Sequence, residues 1–135
     1  MIPAWVGKYV GSDFASHGRG PDEFDCWGLV RWVLLREYGI EAPDFGEEYE
    51  HPTDAEGIPK AIETGKAGWC RVSDAREGDV VVLNVYGKPM HCGVVVSPGF
   101  MLHTRRGVGS CVESYERPLW KPRLEGVYRH RARCN

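Results

Sequence analysis

One cysteine and two histidines are the residues of this sequence best suited to covalent chemistry. Cys26 lies in residues 24–30 (FDCWGLV), at the expected start of a helix, and His91 and His103 follow twelve positions apart. The N–H groups and the dipole of a helix N-terminus lower the pKa of a thiol and favour the nucleophilic thiolate. A buried packing cysteine explains the position equally well when the helix is considered alone.

The two histidines offer what a thiolate nucleophile needs. An imidazole beside the thiol takes its proton and later delivers a proton to the leaving amine. His91 and His103 fall on consecutive predicted strands joined by a turn at residues 97–99, so the two rings can lie side by side. His103 would then accept a hydrogen bond from His91 and fix its tautomer. A zinc site made from Cys26 and both histidines is also conceivable, although no closely spaced ligand pair such as C-x₂-C supports it.

A capped helix is predicted to carry the cysteine. Asp25 is suited to the N-cap, because its carboxylate can accept from the first-turn N–H groups, and Gly39 is suited to a left-handed stop. The helix's apolar face is expected to consist of Leu29, Val30, Val33, Leu34 and Tyr38. A second helix is predicted over residues 53–64, where Pro59 would strain its interior.

Short strands are predicted from Gly78 onward. They cover residues 79–84, 93–96, 100–104, 111–115 and 126–130, and His91 is expected to open the second of them, just after a turn at residues 86–89. The connections are too short for parallel crossovers, so neighbouring strands must be antiparallel. The first half of the chain, to about Gly68, is predicted as helix and loop packed on this single sheet, which is an α+β arrangement.

Composition limits the classes of function. A chain of 135 residues fits one domain, and its net charge of -2 gives no electrostatic reason to expect a nucleic-acid partner. No apolar run approaches the roughly 20 residues that span a bilayer, so no membrane partner is expected either. The N-terminus lacks the features of a secretory signal, so we expect synthesis in the cytoplasm. The five cysteines are an odd number and are expected there as thiols.

Four segments together resemble the NlpC-type cell-wall cysteine peptidases of the papain-like superfamily. They are residues 24–30 around Cys26, 78–82 (GDVVV), 91–96 (HCGVVV) and 101–104 (MLHT), and the resemblance runs from about Trp5 to Tyr128. It implies a single NlpC-type domain over residues 1–135, with an N-terminal helical half on a five- to six-stranded antiparallel sheet. It also implies Cys26 as nucleophile, His91 as general base and His103 as the orienting residue, with no metal or other cofactor.

The family's substrates are peptidoglycan stem peptides, often cut between D-glutamate and a diamino acid. The resemblance implies a cleft formed by Phe14, Ser16, His17, Asp25 and Trp27. Phe14 stands where the family usually has a tyrosine, and Trp27 replaces a common serine. Ser16 and His17 can equally belong to a solvated glycine-rich loop, and Asp25 can serve as the helix cap alone.

Trp27 is similar to the residue found in short family members encoded near phage and gene-transfer-agent tail genes. This implies phage-tail or tail-like particle proteins as partners, and action in the host periplasm or cell wall. Two alternatives remain open: a related amidase or acyltransferase, and a catalytically weak or inactive tail structural or assembly protein. Of the other cysteines, Cys92 is expected in the core on the face opposite His91. Packing roles are expected for Cys70, Cys111 and Cys134.

Overall fold

The computed structural model describes residues 2–43 and 68–134, and its α-helix begins at the predicted nucleophile. Helix α1 spans Cys26–Tyr38. Asp25 caps it by accepting a hydrogen bond from the Gly28 N–H at 2.7 Å, and Gly39 ends it in the left-handed conformation at φ 65°. Both ends were predicted from local residue types and are confirmed. The predicted second helix lies outside the described residues.

Within residues 2–43 and 68–134, eight strands accompany α1, numbered in chain order. They are β1 (Asp13–Phe14), β2 (Glu23–Phe24), β3 (Trp69–Val72), β4 (Val80–Val85), β5 (Lys88–Ser97), β6 (Phe100–Arg105), β7 (Gly109–Ser114) and β8 (Leu124–His130). The last six form one antiparallel sheet in the order β3-β8-β4-β5-β6-β7. The α+β class and the number of strands in the sheet are therefore as predicted.

Three features of the strands differ from the sequence prediction. Strand β3 lies before Gly78, where no strand was predicted. The short parallel pair β1–β2 lies in the half predicted as helix and loop, directly before α1. Strand β5 begins at Lys88, because the hairpin turn is confined to Tyr86 and Gly87, whose φ angles of 54° and 77° suit a two-residue turn. His91 therefore lies inside β5 and does not open it.

The two faces of the sheet bury separate apolar clusters. One face packs on α1, whose buried residues are Gly28, Leu29, Val30, Val33 and Leu34. The facing sheet residues include Cys92, Val94 and Leu102. The opposite face carries Val81, Val95, Met101 and Trp120 among others. In the two described ranges, no helix combines the length and the apolar character needed to cross a membrane.

A disulfide corrects the expectation that all five cysteines are thiols. Cys70 on β3 is bonded to Cys134, with a Cα–Cα distance of 6.5 Å. The pairing follows from the topology, because Cys70 lies opposite Arg129 of β8 and the chain turns back just after that strand. The bond therefore joins the edge strand β3 to the segment that follows β8.

Candidate active site

Cys26 is held at the helix N-terminus by a closely packed loop. The backbone oxygen of Gly18 accepts the Asp25 N–H at 3.2 Å and approaches Gly28 so closely that a Cβ there would overlap it. A Cβ on Gly18 would in turn lie 2.7 Å from the Cα of Phe24. Glycine is needed at both positions because the loop before the nucleophile packs directly on the first turn of α1.

The surroundings of the Cys26 thiol favour the thiolate. A hydrogen bond with Cys92 is the largest influence, and it lowers the pKa of Cys26; burial opposes it, and His91 lowers the pKa again by hydrogen bonding and charge. The net result is a pKa of about 5. The hydrogen bond with Cys26, followed by burial, raises the pKa of the Cys92 thiol, so Cys92 stays protonated and serves as the hydrogen-bond donor. Cys92 is a buried core residue, as predicted, and also a neighbour of the candidate nucleophile.

The structure places His91 and His103 in contact across β5 and β6. His91 Nε2 lies 2.8 Å from His103 Nδ1, and both side chains are buried. The two residues are diagonal neighbours, because His103 faces Gly93, where an added Cβ would lie 3.0 Å from the His103 Cβ. The absence of a side chain on Gly93 leaves room for the His103 ring to reach His91.

Glu113 continues this line of polar groups on the next strand. Its Oε1 lies 2.8 Å from His103 Nε2, and its Oε2 accepts a hydrogen bond from Arg117 at 2.8 Å. Burial would raise the pKa of Glu113, but hydrogen bonding and positive neighbours lower it overall, so the carboxylate is ionised at neutral pH. Burial and the neighbouring His91 lower the pKa of His103 to about 4, so this ring is neutral at the same pH.

Trp120 packs against both imidazoles. Its ring stacks on His91 with 17° between the planes and meets His103 edge-on, both at 5.4 Å between centroids. The guanidinium of Arg105 lies 5.6 Å from the Trp120 ring. Trp120 is itself buried, so it screens one side of the histidine pair from water.

The predicted substrate residues occupy several environments. Phe14 is half-buried on β1, with the Arg106 guanidinium 5.6 Å from its ring. Ser16 is exposed, and its hydroxyl lies 3.5 Å from Nδ1 of His17, whose backbone is left-handed at φ 59°. Both lie in the loop between β1 and β2, which packs on the first turn of α1.

Asp25 and Trp27 are engaged with the protein itself. Asp25 is 2% exposed; the same carboxylate oxygen that caps Gly28 also accepts from Arg19 at 2.8 Å. The Trp27 indole N–H donates to the Pro43 carbonyl at 2.8 Å. The capping role of Asp25 is therefore observed, while a substrate role for either residue stays a prediction.

One group of side chains in the described ranges has metal-ligand geometry. Ligand atoms of His103, Cys111 and Glu113 all lie within 4.8 Å of one another. This is not the set of Cys26 and two histidines considered from the sequence. Arg117 already binds the Glu113 carboxylate, and positive charge from Arg105 acts on all three residues. These two cations disfavour a metal ion, since it would add further positive charge.

Sequence reasoning missed Glu113, Arg117 and Trp120 as neighbours of the histidines. Glu113 was within a predicted strand, but its approach to His103 depends on the register in which His103 pairs with Cys111. Once that register is given, strand alternation brings Glu113 to the same face as His103. Trp120 lies outside every predicted strand, and no local pattern indicated its contact with His91.

A thiol at a helix N-terminus, facing a buried histidine pair on an antiparallel sheet, defines this chain as a papain-like α+β domain. The sequence pattern of the NlpC/P60 family matches residues 11–129. The chain belongs to the NlpC/P60 family.

Three similar proteins illustrate the relationship. The chain is 33% identical over 95 residues to a probable endopeptidase of Mycobacterium bovis, which covers 70% of this chain and 20% of that protein. It is 26% identical over 125 residues to the gamma-DL-glutamyl hydrolase of Bacillus subtilis, and this alignment covers 90% of this chain and 27% of that protein. The NlpC/p60 domain of the peptidoglycan hydrolase SagA shares the fold, with a TM-score of 0.64 and 23% identity over 93% of each chain. The chain thus spans between 20% and 27% of the length of the two curated relatives.

Proposed function

We propose that this domain is a cysteine peptidase that hydrolyses peptide bonds in peptidoglycan stem peptides, with Cys26, His91 and His103 as its triad. The observation that carries the proposal is the thiol at the start of α1, whose pKa is lowered to about 5 beside the His91–His103 pair. A thiol with this pKa is a thiolate at neutral pH, and the thiolate is the nucleophilic form.

The geometry supports a two-step mechanism. The Cys26 thiolate attacks the scissile carbonyl carbon, and the C=O electron pair moves to oxygen, next to the Cys26 N–H in the first turn of α1. His91, as imidazolium, protonates the leaving amine while the C–N bond breaks, which leaves a thioester on Cys26. His91 then removes a proton from water, hydroxide attacks the thioester, and the acid product leaves with the thiolate restored.

The substrate class is supported by the named relatives. SagA is a peptidoglycan hydrolase, the mycobacterial relative is a probable endopeptidase, and the Bacillus subtilis relative is a gamma-DL-glutamyl hydrolase. The last name refers to a γ-linked glutamyl bond. This favours the bond between D-glutamate and the following diamino acid as the site of cleavage by this domain.

The proposed setting is a phage or gene-transfer-agent tail that delivers the domain to the host periplasm or cell wall. The Cys70–Cys134 disulfide is compatible with this setting, because disulfides persist in oxidising compartments. The setting is also supported by Trp27, which resembles the residue at this position in short family members encoded near tail genes. The tail proteins would then be its partners, and peptidoglycan its substrate.

The alternatives use the same fold differently. A catalytically weak or inactive tail structural protein is favoured by Phe14, which lacks the tyrosine hydroxyl usual in the family. A related amidase or acyltransferase would keep the thioester step and change only the acyl group or its acceptor. Product analysis separates both from the proposed peptidase.

The experiment incubates the protein with purified peptidoglycan and with a stem tetrapeptide, and identifies products by mass spectrometry. We expect cleavage after D-glutamate by the wild type and by Tyr86→Ala, a control at an exposed hairpin tip. Cys26→Ala should release no product. Cleavage that survives Cys26→Ala would overturn the mechanism, and absence of cleavage by the wild type would favour the structural protein.

A further inference from the structure

We propose that Glu113 is a positioning residue that holds His103, and through it His91, in the proton arrangement that the Cys26 thiolate requires. The inference deepens the proposed function and rests on it, since it adds a fourth member behind the Cys26–His91–His103 triad. It assigns to Glu113 an action through the two histidines and no contact with substrate.

The geometry forms one continuous chain of short contacts. From His91 Nε2 to His103 Nδ1 the distance is 2.8 Å, and from His103 Nε2 to Glu113 Oε1 it is again 2.8 Å. The Arg117 guanidinium holds the second carboxylate oxygen at 2.8 Å. Both atoms that His103 can use for hydrogen bonding are therefore directed at a partner.

Only one proton arrangement satisfies this chain when Glu113 is ionised and His103 is neutral. A carboxylate can only accept, so Nε2 of His103 must carry the proton. A neutral imidazole has a single N–H, so Nδ1 of His103 must accept, and Nε2 of His91 must donate to it. The remaining His91 nitrogen, Nδ1, is then available to carry the second proton of the imidazolium that pairs with the Cys26 thiolate.

The opposite arrangement would prevent that ion pair. If His103 carried its proton on Nδ1, it would donate to Nε2 of His91, which would then have to be unprotonated. His91 could then hold only one proton, on Nδ1. In its imidazolium form, the N–H on Nε2 of His91 would point at the N–H of His103 instead of at an acceptor. A charged acceptor at Glu113 removes this alternative, since a hydrogen bond to a carboxylate is stronger than one to a neutral group.

Several charged or titratable groups surround this chain, and each enters its pH dependence. Cys26 faces His91 from α1, and Asp25 and Cys92 in turn act on Cys26. His103 and Arg105 approach Glu113 from β6, Cys111 lies beside it on β7, and Arg117 approaches from the turn that follows. The Cys111 thiol is 3.8 Å from His103 Nε2, a longer contact than that to Glu113.

A purely structural role for Glu113 makes a different prediction. The carboxylate could simply anchor Arg117 and the turn after β7, with no influence on the histidine protons. Its loss would then lower the free energy of unfolding and leave the ionisation of the active site unchanged. The experiment must therefore report on proton positions and on Cys26 ionisation rather than on activity alone.

The first measurement uses the wild-type protein labelled with ¹⁵N in its histidines. Long-range ¹H–¹⁵N spectra at neutral pH should show the His103 ring protonated on Nε2 and unprotonated on Nδ1. Assignment is made with His103→Gln. A His103 ring protonated on Nδ1 would overturn the proposal without any variant of Glu113.

The second measurement follows the reaction of Cys26 with iodoacetate against pH, in Glu113→Gln, Glu113→Asp and the matched control Glu116→Gln. Iodoacetate is an anion, so its rate falls when the neighbouring imidazolium loses its proton, and peptide mapping separates Cys26 from Cys92 and Cys111. In Glu113→Gln we expect this fall in rate at alkaline pH to occur roughly half to one pH unit lower than in the wild type. The loss of the negative charge of Glu113 disfavours the nearby imidazolium. Glu113→Asp should restore part of the shift, and Glu116→Gln should match the wild type.

Superimposed profiles for Glu113→Gln and Glu116→Gln would overturn the proposal. If Glu113→Gln does not fold, as judged by circular dichroism, the wild-type tautomer and Glu113→Asp decide the question. Neither measurement uses a peptide substrate. A protein that cleaves no stem peptide would therefore defeat the proposed function, while the tautomer and the iodoacetate profile would still test the role of Glu113.

Discussion

The sheet contains two buried polar networks, and only one of them includes a group that can react with a substrate. At the start of β4, the fully buried Asp79 carboxylate receives two 2.8 Å hydrogen bonds from Arg129 and a third from the Arg76 N–H. Further along the sheet, His91 and His103 connect the Cys26 thiol to Glu113. Both networks are hydrogen-bonded, and both bring charge into the interior.

The two networks differ in the groups at which they terminate. Asp79 forms an ion pair with Arg129, and its hydrogen bonds to the guanidinium raise the pKa of Arg129, so that guanidinium stays charged over the whole physiological range. The second network ends in the Cys26 thiol, whose pKa is lowered to about 5 and whose hydrogen-bonding neighbours are Cys92 and His91 instead of a guanidinium. We infer that the first network serves folding and that the second retains a reactive group for substrate. Variants in the first network should therefore change stability, and variants in the second should change activity.

The largest expected effect is on activity, in Cys26→Ala. Removal of the nucleophile should reduce the rate of stem-peptide cleavage by about four orders of magnitude or more. The free energy of unfolding should change little, because one small half-buried side chain is replaced by another. Cleavage assays and urea titrations on the same preparation measure both quantities. A large loss of stability with preserved cleavage would show that Cys26 serves folding and is not the nucleophile.

Asp79→Ala should show the opposite pattern. It leaves the Arg129 guanidinium buried without its partner, which costs about 3–5 kcal/mol of unfolding free energy. Well below the unfolding midpoint, the folded fraction should still cleave at close to the wild-type rate. Urea unfolding followed by circular dichroism gives the stability. An unchanged midpoint would show that the Asp79–Arg129 pair is not a folding element.

The Cys70–Cys134 disulfide is expected to stabilise the fold near the Asp79–Arg129 pair, because it joins β3 to the segment that follows β8. The double variant Cys70→Ser/Cys134→Ser should lose about 2–4 kcal/mol of stability, since the bond restricts the unfolded chain. Thiol reductant should destabilise the wild type by a similar amount and leave the double variant unchanged. Equal unfolding midpoints with and without reductant in the wild type would show that the two cysteines are not bonded in solution.

Phe14→Tyr carries the smallest expected effect and sharpens the picture of the cleft. The added hydroxyl supplies one hydrogen bond, worth about 0.5–1.5 kcal/mol, so the cleavage rate should rise by about two- to tenfold. Stability should be unchanged, because Phe14 is only half-buried. An unchanged cleavage rate would mean that the ring at this position acts by packing alone.

The parts of the site that local residues determine were predictable from sequence. Asp25 and Gly39 mark the helix ends by their own conformational preferences, and one short turn brings the strands of His91 and His103 together. Glu113 and Cys134 were not predictable as partners, because their contacts depend on how β7 pairs with β6 and β8 with β3. A shift of the β6–β7 register by one residue would turn Glu113 to the other face of the sheet.

The ionisation of Cys26 tests the central claim most directly. The rate of Cys26 alkylation by neutral iodoacetamide should be measured in the wild type between pH 3 and 10, with peptide mapping to separate the other free thiols. Since the pKa of Cys26 is lowered to about 5, the rate should reach half of a first plateau near that pH. A single rise near pH 8.5, where an ordinary thiol ionises, would contradict an activated nucleophile at the start of α1.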